Sequence, residues 1–261
     1  MTRTPLVPTR SRGRPPKYPP DEVRKRLLEA ALATMRMSGV ESGLDSVTLD
    51  GAILDADVPR GMAYKIWRVP EVTPQDAFRQ ATVLYVLSLP ATAGLPATRD
   101  YTRTELSHRT AELESDDIEV RRALLRELTR IVGEFNYNSL ENSMNWKLYS
   151  AIRTAAITRQ AEPAVLDVLK TGEDYLITMY SELYLEVAKL FRLTLRPEYK
   201  IEEFAAATYA VNEGLAGRLS SKYRRSGISR ATGEAGASQD WTLFSIAFEA
   251  LIDHFFKWDE A

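Results

Sequence analysis

Apolar positions recur with the helical period along most of this chain, and they define its elements. Val23, Leu27, Ala30, Ala31 and Met35 recur at three- and four-residue steps, which places them on one face of a helix. Pro19-Pro20 precede that helix, Asp21 and Glu22 suit its positive N-terminal end, and Gly39 closes it. Leu49, Ala52, Ile53 and Ala56 then repeat at i, i+3, i+4 and i+7, with Thr48 in place to cap the helix they belong to. Asp57 tolerates a turn conformation, Val58 tucks under the bend, and Pro59 sets φ for the next start. Residues 60–65 give a helix of barely two turns, anchored by Trp67. A helix, a tight turn and a second short helix of this kind offer the second helix to a DNA major groove.

Beyond that stretch, Thr73-Pro74 opens a helix carrying Ala77, Phe78, Ala81, Leu84, Tyr85 and Leu89. Residues 90–115 are rich in Pro, Gly, Thr and Ser and predict a loop with a helical piece in it. From Asp116 the helical period returns: Val120 to Phe135, Trp146 to Ile157, and a long stripe from Val165 to Leu190 that ends before Arg196-Pro197. Residues 201–223 hold small residues (Ala207, Ala210, Gly214, Gly217) that let another helix approach closely. Residues 224–238 are Gly-, Ser- and Arg-rich and read as a mobile loop. Residues 241–258 form the most aromatic helix, with Phe244, Phe248, Leu251, Ile252, Phe255 and Phe256 on one broad stripe. No period-two alternation occurs, so the expectation is an all-α fold without a sheet.

Charge divides the chain in two. Residues 1–70 carry 12 Lys/Arg against 8 Asp/Glu, whereas the rest carries 22 against 28. A basic front on an acidic body fits a nucleic-acid-binding head joined to a domain with another task. Residues 1–20 form a flexible basic arm, with five basic residues, no acid and six prolines. Its Arg12-Gly13-Arg14-Pro15 is similar to an AT-hook core, whose two arginines lie in a narrow minor groove; a solvated basic tail is the alternative. The absence of cysteine excludes disulfides and thiolate chemistry. No apolar signal segment leads the chain, so the expected location is the cytoplasm. The uncharged run 80–98 is broken by Pro90, Gly94 and Pro96, which favours a buried helix and loop over a membrane span.

The Gly-terminated first helix, the Thr-capped second, the Ala-x-Val turn and Arg-Gly-x-x-Tyr-Lys-x-aromatic together resemble the DNA-binding domain of TetR-type (tetracycline-repressor-like) transcriptional regulators. The likeness covers about residues 21–67, and Asp57 stands where that family usually has glycine. It implies a three-helix DNA-binding domain at 21–72 and a helical effector-binding and dimerisation domain at 73–261. It further implies a homodimer on a palindromic double-stranded DNA operator, released by a small-molecule effector. The candidate DNA contacts are Arg12, Arg14, Thr48, Arg60, Gly61, Tyr64 and Lys65. Arg60 could bond guanine through two donors, Gly61 lets backbone approach the groove, and Tyr64 and Lys65 fit phosphate contacts. For Tyr64 a core aromatic is the competing reading.

Candidates for the effector pocket are Phe135, Tyr137, Met144 and Trp146, joined by Tyr149, Tyr175 and Met179. The last two helices resemble the pair that joins subunits in the same family, which nominates Phe204, Val211, Leu215, Phe244, Phe248, Leu251 and Phe255 for a dimer interface. Motifs for phosphate loops, dinucleotide binding, zinc proteases and serine hydrolases are missing, and His108 and His254 are far apart. No enzyme, cofactor or metal site is therefore expected. Two alternatives remain: a DNA-architectural protein using the arm and head alone, and a helical enzyme.

Overall fold

The computed structural model describes residues 18–38, 46–89, 95–158, 163–218, 227–233 and 236–259. The arm with Arg12 and Arg14, and the helix-closing Gly39, lie outside these residues. The chain divides into two compact units, one up to Thr82 and one from Val83 onward.

In the first unit, α1 (Pro20–Ser38) buries Val23, Leu27, Leu28, Ala31, Leu32 and Met35. Against it lie α2 (Leu49–Asp55) and α3 (Arg60–Ile66), which also touch each other. Leu49, Ala52 and Ile53 are the buried face of α2, and Ala63 is the buried residue of α3. Trp67, just past α3, packs edge-on against Phe78 of α4 (Pro74–Ser88), with ring centroids 5.4 Å apart. The guanidinium of Arg24 sits 4.5 Å from the centre of the Trp67 ring, so this arginine covers the core from outside.

The second unit is built from α5 (Leu95–Ser107), α6 (Thr110–Glu114), α7 (Ile118–Asn142), α8 (Met144–Thr158), α9 (Pro163–Phe191), α10 (Ile201–Ala216) and α11 (Leu243–Phe255). Where the composition suggested a loop with one helical piece, α5 and α6 take up most of the segment. The buried stripe of α5 is Leu95, Thr98, Thr102 and Leu106; half of it is threonine, which hides the period. Asp117 caps α7 by accepting from the Glu119 amide at 2.8 Å. Thr242 does the same for α11, accepting from Ser245 N at 3.0 Å. Helices α7 and α11 approach closely at Gly133, where a Cβ would lie 2.7 Å from Ser245 Oγ. The Ser245 hydroxyl donates to the Arg130 carbonyl at 3.1 Å.

The expectation of no sheet is corrected. Strand β1 (Leu193–Leu195) pairs antiparallel with β4 (Phe256–Trp258), Leu193 facing Trp258 and Leu195 facing Phe256. Strands β2 (Ile228–Ala231) and β3 (Ser238–Trp241) form an antiparallel hairpin; β2 lies in the segment read as a mobile loop, and β3 runs from its last residue to the start of the expected last helix. Three- and four-residue strands are too short to display a period of two. Strands β3 and β4 trim the last expected helix, so α11 covers only the middle of 241–258. No helix among the described residues is long and apolar enough to cross a membrane.

Candidate nucleic-acid interface and effector groove

The turn between α2 and α3 is made by local chemistry. Thr48 Oγ1 accepts from the Gly51 amide at 3.1 Å, satisfying one of the free N–H groups at the start of α2. Asp57 takes φ 49°, the left-handed region that aspartate tolerates better than most residues. Val58 is buried beneath the bend, and Pro59 stands as the N-cap of α3 with φ −64°.

A clamp unforeseen from the sequence holds this unit from the other side. Gln75, on the first turn of α4, accepts from Leu49 N at 2.7 Å and donates to the Val47 carbonyl at 2.9 Å. Arg79 adds a longer bond to the same carbonyl at 3.4 Å. Gln75 thus joins α4 to the entrance of α2 across 26 residues of sequence. No local pattern reveals such a pairing, although a Gln on the polar flank of a helix start is its one visible trace.

Helix α3 is anchored by Ala63 and, at its end, Trp67, so its other face is free. Arg60, Gly61 and Lys65 are exposed, and a Cβ on Gly61 would meet open space. Tyr64 is half-buried, and its hydroxyl donates to Asp50 Oδ1 at 2.9 Å. Arg60 Nη2 contacts Asp50 Oδ2 at 3.0 Å. Tyr64 is therefore not a core aromatic, and its hydroxyl is engaged by Asp50 in the absence of DNA. Of the basic residues early in α1, Arg26 bonds Glu22 at 2.7 Å and Lys25 lies 3.9 Å from Glu29.

In the second unit, the seven residues nominated for a pocket do not form one site. Phe135 stacks on Tyr101, with centroids 4.5 Å apart. Tyr137 and Trp146 belong to a core cluster with Leu140, Ala216 and Phe244, Met179 packs on the α9 core, and Met144 is exposed. Trp146 Nε1 also donates to Glu213 Oε1 at 3.3 Å. Tyr149 and Tyr175 share a groove of about 510 Å³. Its other walls are Leu87, Ser88 and Leu89 at the end of α4, and Asp167, Val168, Thr171, Gly172 and Leu176 of α9. That volume lies within the range for small-molecule sites, roughly 300–1,000 Å³. A Cβ on Gly172 would meet nothing within 4 Å, so the glycine leaves the groove open along α9. The Tyr149 hydroxyl is buried without a hydrogen-bond partner among the described residues. Burial, reinforced by the negative charge of Glu173, pushes its pKa up to about 12, so the phenol stays neutral. Asp167 is the one charged residue among the described walls.

A second crevice, among α5, α7, α9 and α11, holds Thr98, Thr129, Asn136, Tyr180 and Phe248 on its walls but has room for only about 70 Å³. Benzene occupies an engineered cavity of roughly 150 Å³, so this crevice is too small for an effector as it stands. Asn136 Oδ1 accepts there from Thr98 at 3.3 Å and from Tyr180 at 3.4 Å. Those bonds make it a polar brace within the core.

The nominated dimer residues need correction. Phe204, Phe244 and Phe255 are buried in their own subunit, so they have no surface to give a partner. Phe248 packs on Phe244, Tyr184 and Phe204, with centroids 5.7–6.0 Å apart. Val211, Leu215 and Leu251 are partly exposed, as is the small-residue face of α10 at Ala206, Ala210 and Gly214. The aromatic stripe of α11 is covered by α10, α9 and β1 of its own chain.

No family model and no curated protein matches this chain. A crystal structure from Rhodococcus sp., described as a TetR-family transcriptional regulator, is similar to it. That likeness spans 91% of this chain and 100% of the other, at 14% identity and a TM-score of 0.45. At those values the likeness assigns no function. Among the described residues no group of three His, Asp or Glu side chains is placed to hold a metal.

Proposed function

We propose that the protein is a DNA-binding transcriptional regulator, acting as a homodimer on a palindromic operator and released from it by a small molecule. The observation that carries the reading is the outward face of α3. Ala63 and Trp67 bury one side of this two-turn helix, while Arg60, Gly61 and Lys65 stand exposed on the other. A short helix anchored this way, behind a capped helix and a tight turn, is suited to enter a major groove. Arg60 has the donors to read guanine, worth about 1–3 kcal/mol against a wrong base. Lys65 and Arg68, both exposed, add phosphate contacts that position the head without specifying sequence.

The groove beside Tyr149 supplies the effector site in this reading. Its ligand is apolar over most of its surface and uncharged or cationic, because an anion there would face Asp167 with no cation on the described wall. The same helix α4 that lines the groove with Leu87 carries, about three and about two and a half turns earlier, Gln75 and Phe78, which hold α2 and Trp67. A ligand preferring one placement of that helix shifts the population of head conformations by no more than its differential affinity. Dimerisation runs through the exposed small face of α10 with Val211, Leu215 and Leu251 rather than through the buried phenylalanines.

The test is selection of duplexes from a random pool by the full-length protein, followed by binding of the selected site to Arg60→Ala. The reading expects an enriched, near-palindromic sequence and a 5- to 150-fold loss for the variant, matching roughly 1–3 kcal/mol. A pool with no enrichment, or equal binding by Arg60→Ala, would overturn it.

A further inference from the structure

Two exposed side chains and one half-buried one, from two helices of the first unit, converge on one point. Asp50, in the first turn of α2, uses each carboxylate oxygen separately: Oδ2 meets Arg60 Nη2 at 3.0 Å, and Oδ1 accepts from the Tyr64 hydroxyl at 2.9 Å. Arg60 Cζ also lies 5.3 Å from the centre of the Tyr64 ring, and Nη2 stands 3.5 Å from its hydroxyl. The side chains of Arg60 and Asp50 remain 68% and 52% exposed. An ion pair so open to water contributes little to stability, about 0–1 kcal/mol, and an acid in the first turn of α2 adds about 0.3–1 kcal/mol, so stability is a weak reason for an acid on a surface suited to a polyanion.

We propose that Asp50 is a specificity-determining residue of the DNA-reading surface, holding Arg60 for guanine while opposing attachment to arbitrary phosphates. The inference rests on the DNA-binding reading above. Asp50 and, more weakly, the Tyr64 hydroxyl engage Nη2, while Nε–H and the Nη1 hydrogens stay unused by them. Giving up the 3.5 Å contact to Tyr64 on binding frees one complete edge of two parallel donors, the number that guanine O6 and N7 require, with the Asp50 bond still in place. Tying Arg60 and Tyr64 to one carboxylate removes rotamers before DNA arrives. Ordering such a side chain on binding otherwise costs about 0.5–1.5 kcal/mol. The carboxylate has a second effect: on non-specific DNA it occupies Arg60 and repels nearby phosphates, lowering sequence-independent affinity. Both effects raise the ratio of specific to non-specific binding, and neither needs Asp50 to touch a base.

The test compares full-length wild type, Asp50→Ala, Asp50→Asn and Tyr64→Phe on the wild-type-selected duplex and on a scrambled duplex of equal length, across a salt series. For Asp50→Ala the expected result is tighter binding to scrambled DNA, with a salt slope steeper by about one unit as Arg60 gains a phosphate. The specific-to-scrambled ratio should fall by about 2- to 12-fold or more, the equivalent of the ordering cost above. Asp50→Asn keeps an acceptor but loses the charge, so it should bind scrambled DNA more tightly while retaining more of the ratio. Tyr64→Phe, which frees one carboxylate oxygen, should lower the ratio less than Asp50→Ala. If Asp50→Ala has a lowered urea midpoint, Asp50→Asn and Tyr64→Phe carry the comparison. A wild type that selects a site beside variants with unchanged ratio and slope, or with both affinities reduced equally, would overturn the role of Asp50 alone. A wild type that selects no site would overturn the DNA-binding reading and this inference with it.

Discussion

Replacing Gln75 by alanine should loosen the first unit without touching the exposed face of α3. The side chain makes two bonds that no neighbour fully replaces: from Leu49 N at 2.7 Å and to the Val47 carbonyl at 2.9 Å. Leu49 and Val47 are each about 1% exposed, so water reaches these groups poorly once the amide is gone. A net hydrogen bond contributes about 0.5–1.5 kcal/mol, and a buried group left unpaired costs about 1–3 kcal/mol. Arg79 still donates to the Val47 carbonyl at 3.4 Å, which offsets part of one loss. The expected total is about 2 kcal/mol, measured by urea denaturation followed through Trp67, whose ring is in the same core. Gln75→Glu separates the two bonds. Its carboxylate still accepts from Leu49 N but can no longer donate to Val47, so it should lose about half as much or, through repulsion of the carbonyl, slightly more. A loss below about 0.5 kcal/mol for Gln75→Ala would refute the reasoning, because it would mean that α2 is not held from α4.

Three other outcomes can be checked independently. Gly133→Ala should destabilise the second unit by about 1–3 kcal/mol through overpacking, since its Cβ would lie 2.7 Å from Ser245 Oγ. Ser245→Ala should recover part of that loss in a double-mutant cycle, and strict additivity would count against the close approach. Gly172→Leu should fill the groove and weaken binding of the neutral fluorophore N-phenyl-1-naphthylamine at least tenfold while leaving the melting temperature near wild type; equal binding would place the apolar site elsewhere. Alkali should destabilise the fold. Burial raises Tyr149 and Tyr180 to about 12 from the ordinary tyrosine value of 10.0, so between these values the folded state holds protons the unfolded state has released. Stability from these groups is full below pH 10 and is lost as pH rises toward 12. Tyr149→Phe should flatten that loss in urea titrations, and an unchanged slope would contradict it.

The head was legible because its signals are local. Thr48 caps, Asp57 turns, Val58 tucks in and Pro59 starts the next helix within twelve residues, and each acts on backbone groups a few positions away. What escaped the sequence depends on partners far along the chain. Gln75 meets Leu49 across 26 residues, and Leu193 pairs with Trp258 in strands of three residues that show no alternation. Helix α5 was obscured because threonine serves on its buried stripe at Thr98 and Thr102, both nearly buried. The aromatic stripe of residues 244–256 read as a surface awaiting a second subunit, yet Phe204 and Tyr184 of the same chain cover much of it. Aromatic residues nominated for an effector pocket mostly became core for the same reason: packing and ligand contact draw on one set of side chains. Tyr149 and Tyr175 reached a groove because the open face at Gly172 leaves space beside them.

Hydroxyl-radical footprinting of the selected duplex, with the full-length protein at moderate salt, tests the central claim most directly. The account predicts two protected patches on one face of the helix, about one turn apart (10–10.5 bp) or slightly more, as two outward α3 helices of a symmetric pair require. The Arg60→Ala protein should lose both patches together. A single short patch, uniform protection along the duplex, or two patches that persist in Arg60→Ala would contradict a paired reading head built on α3.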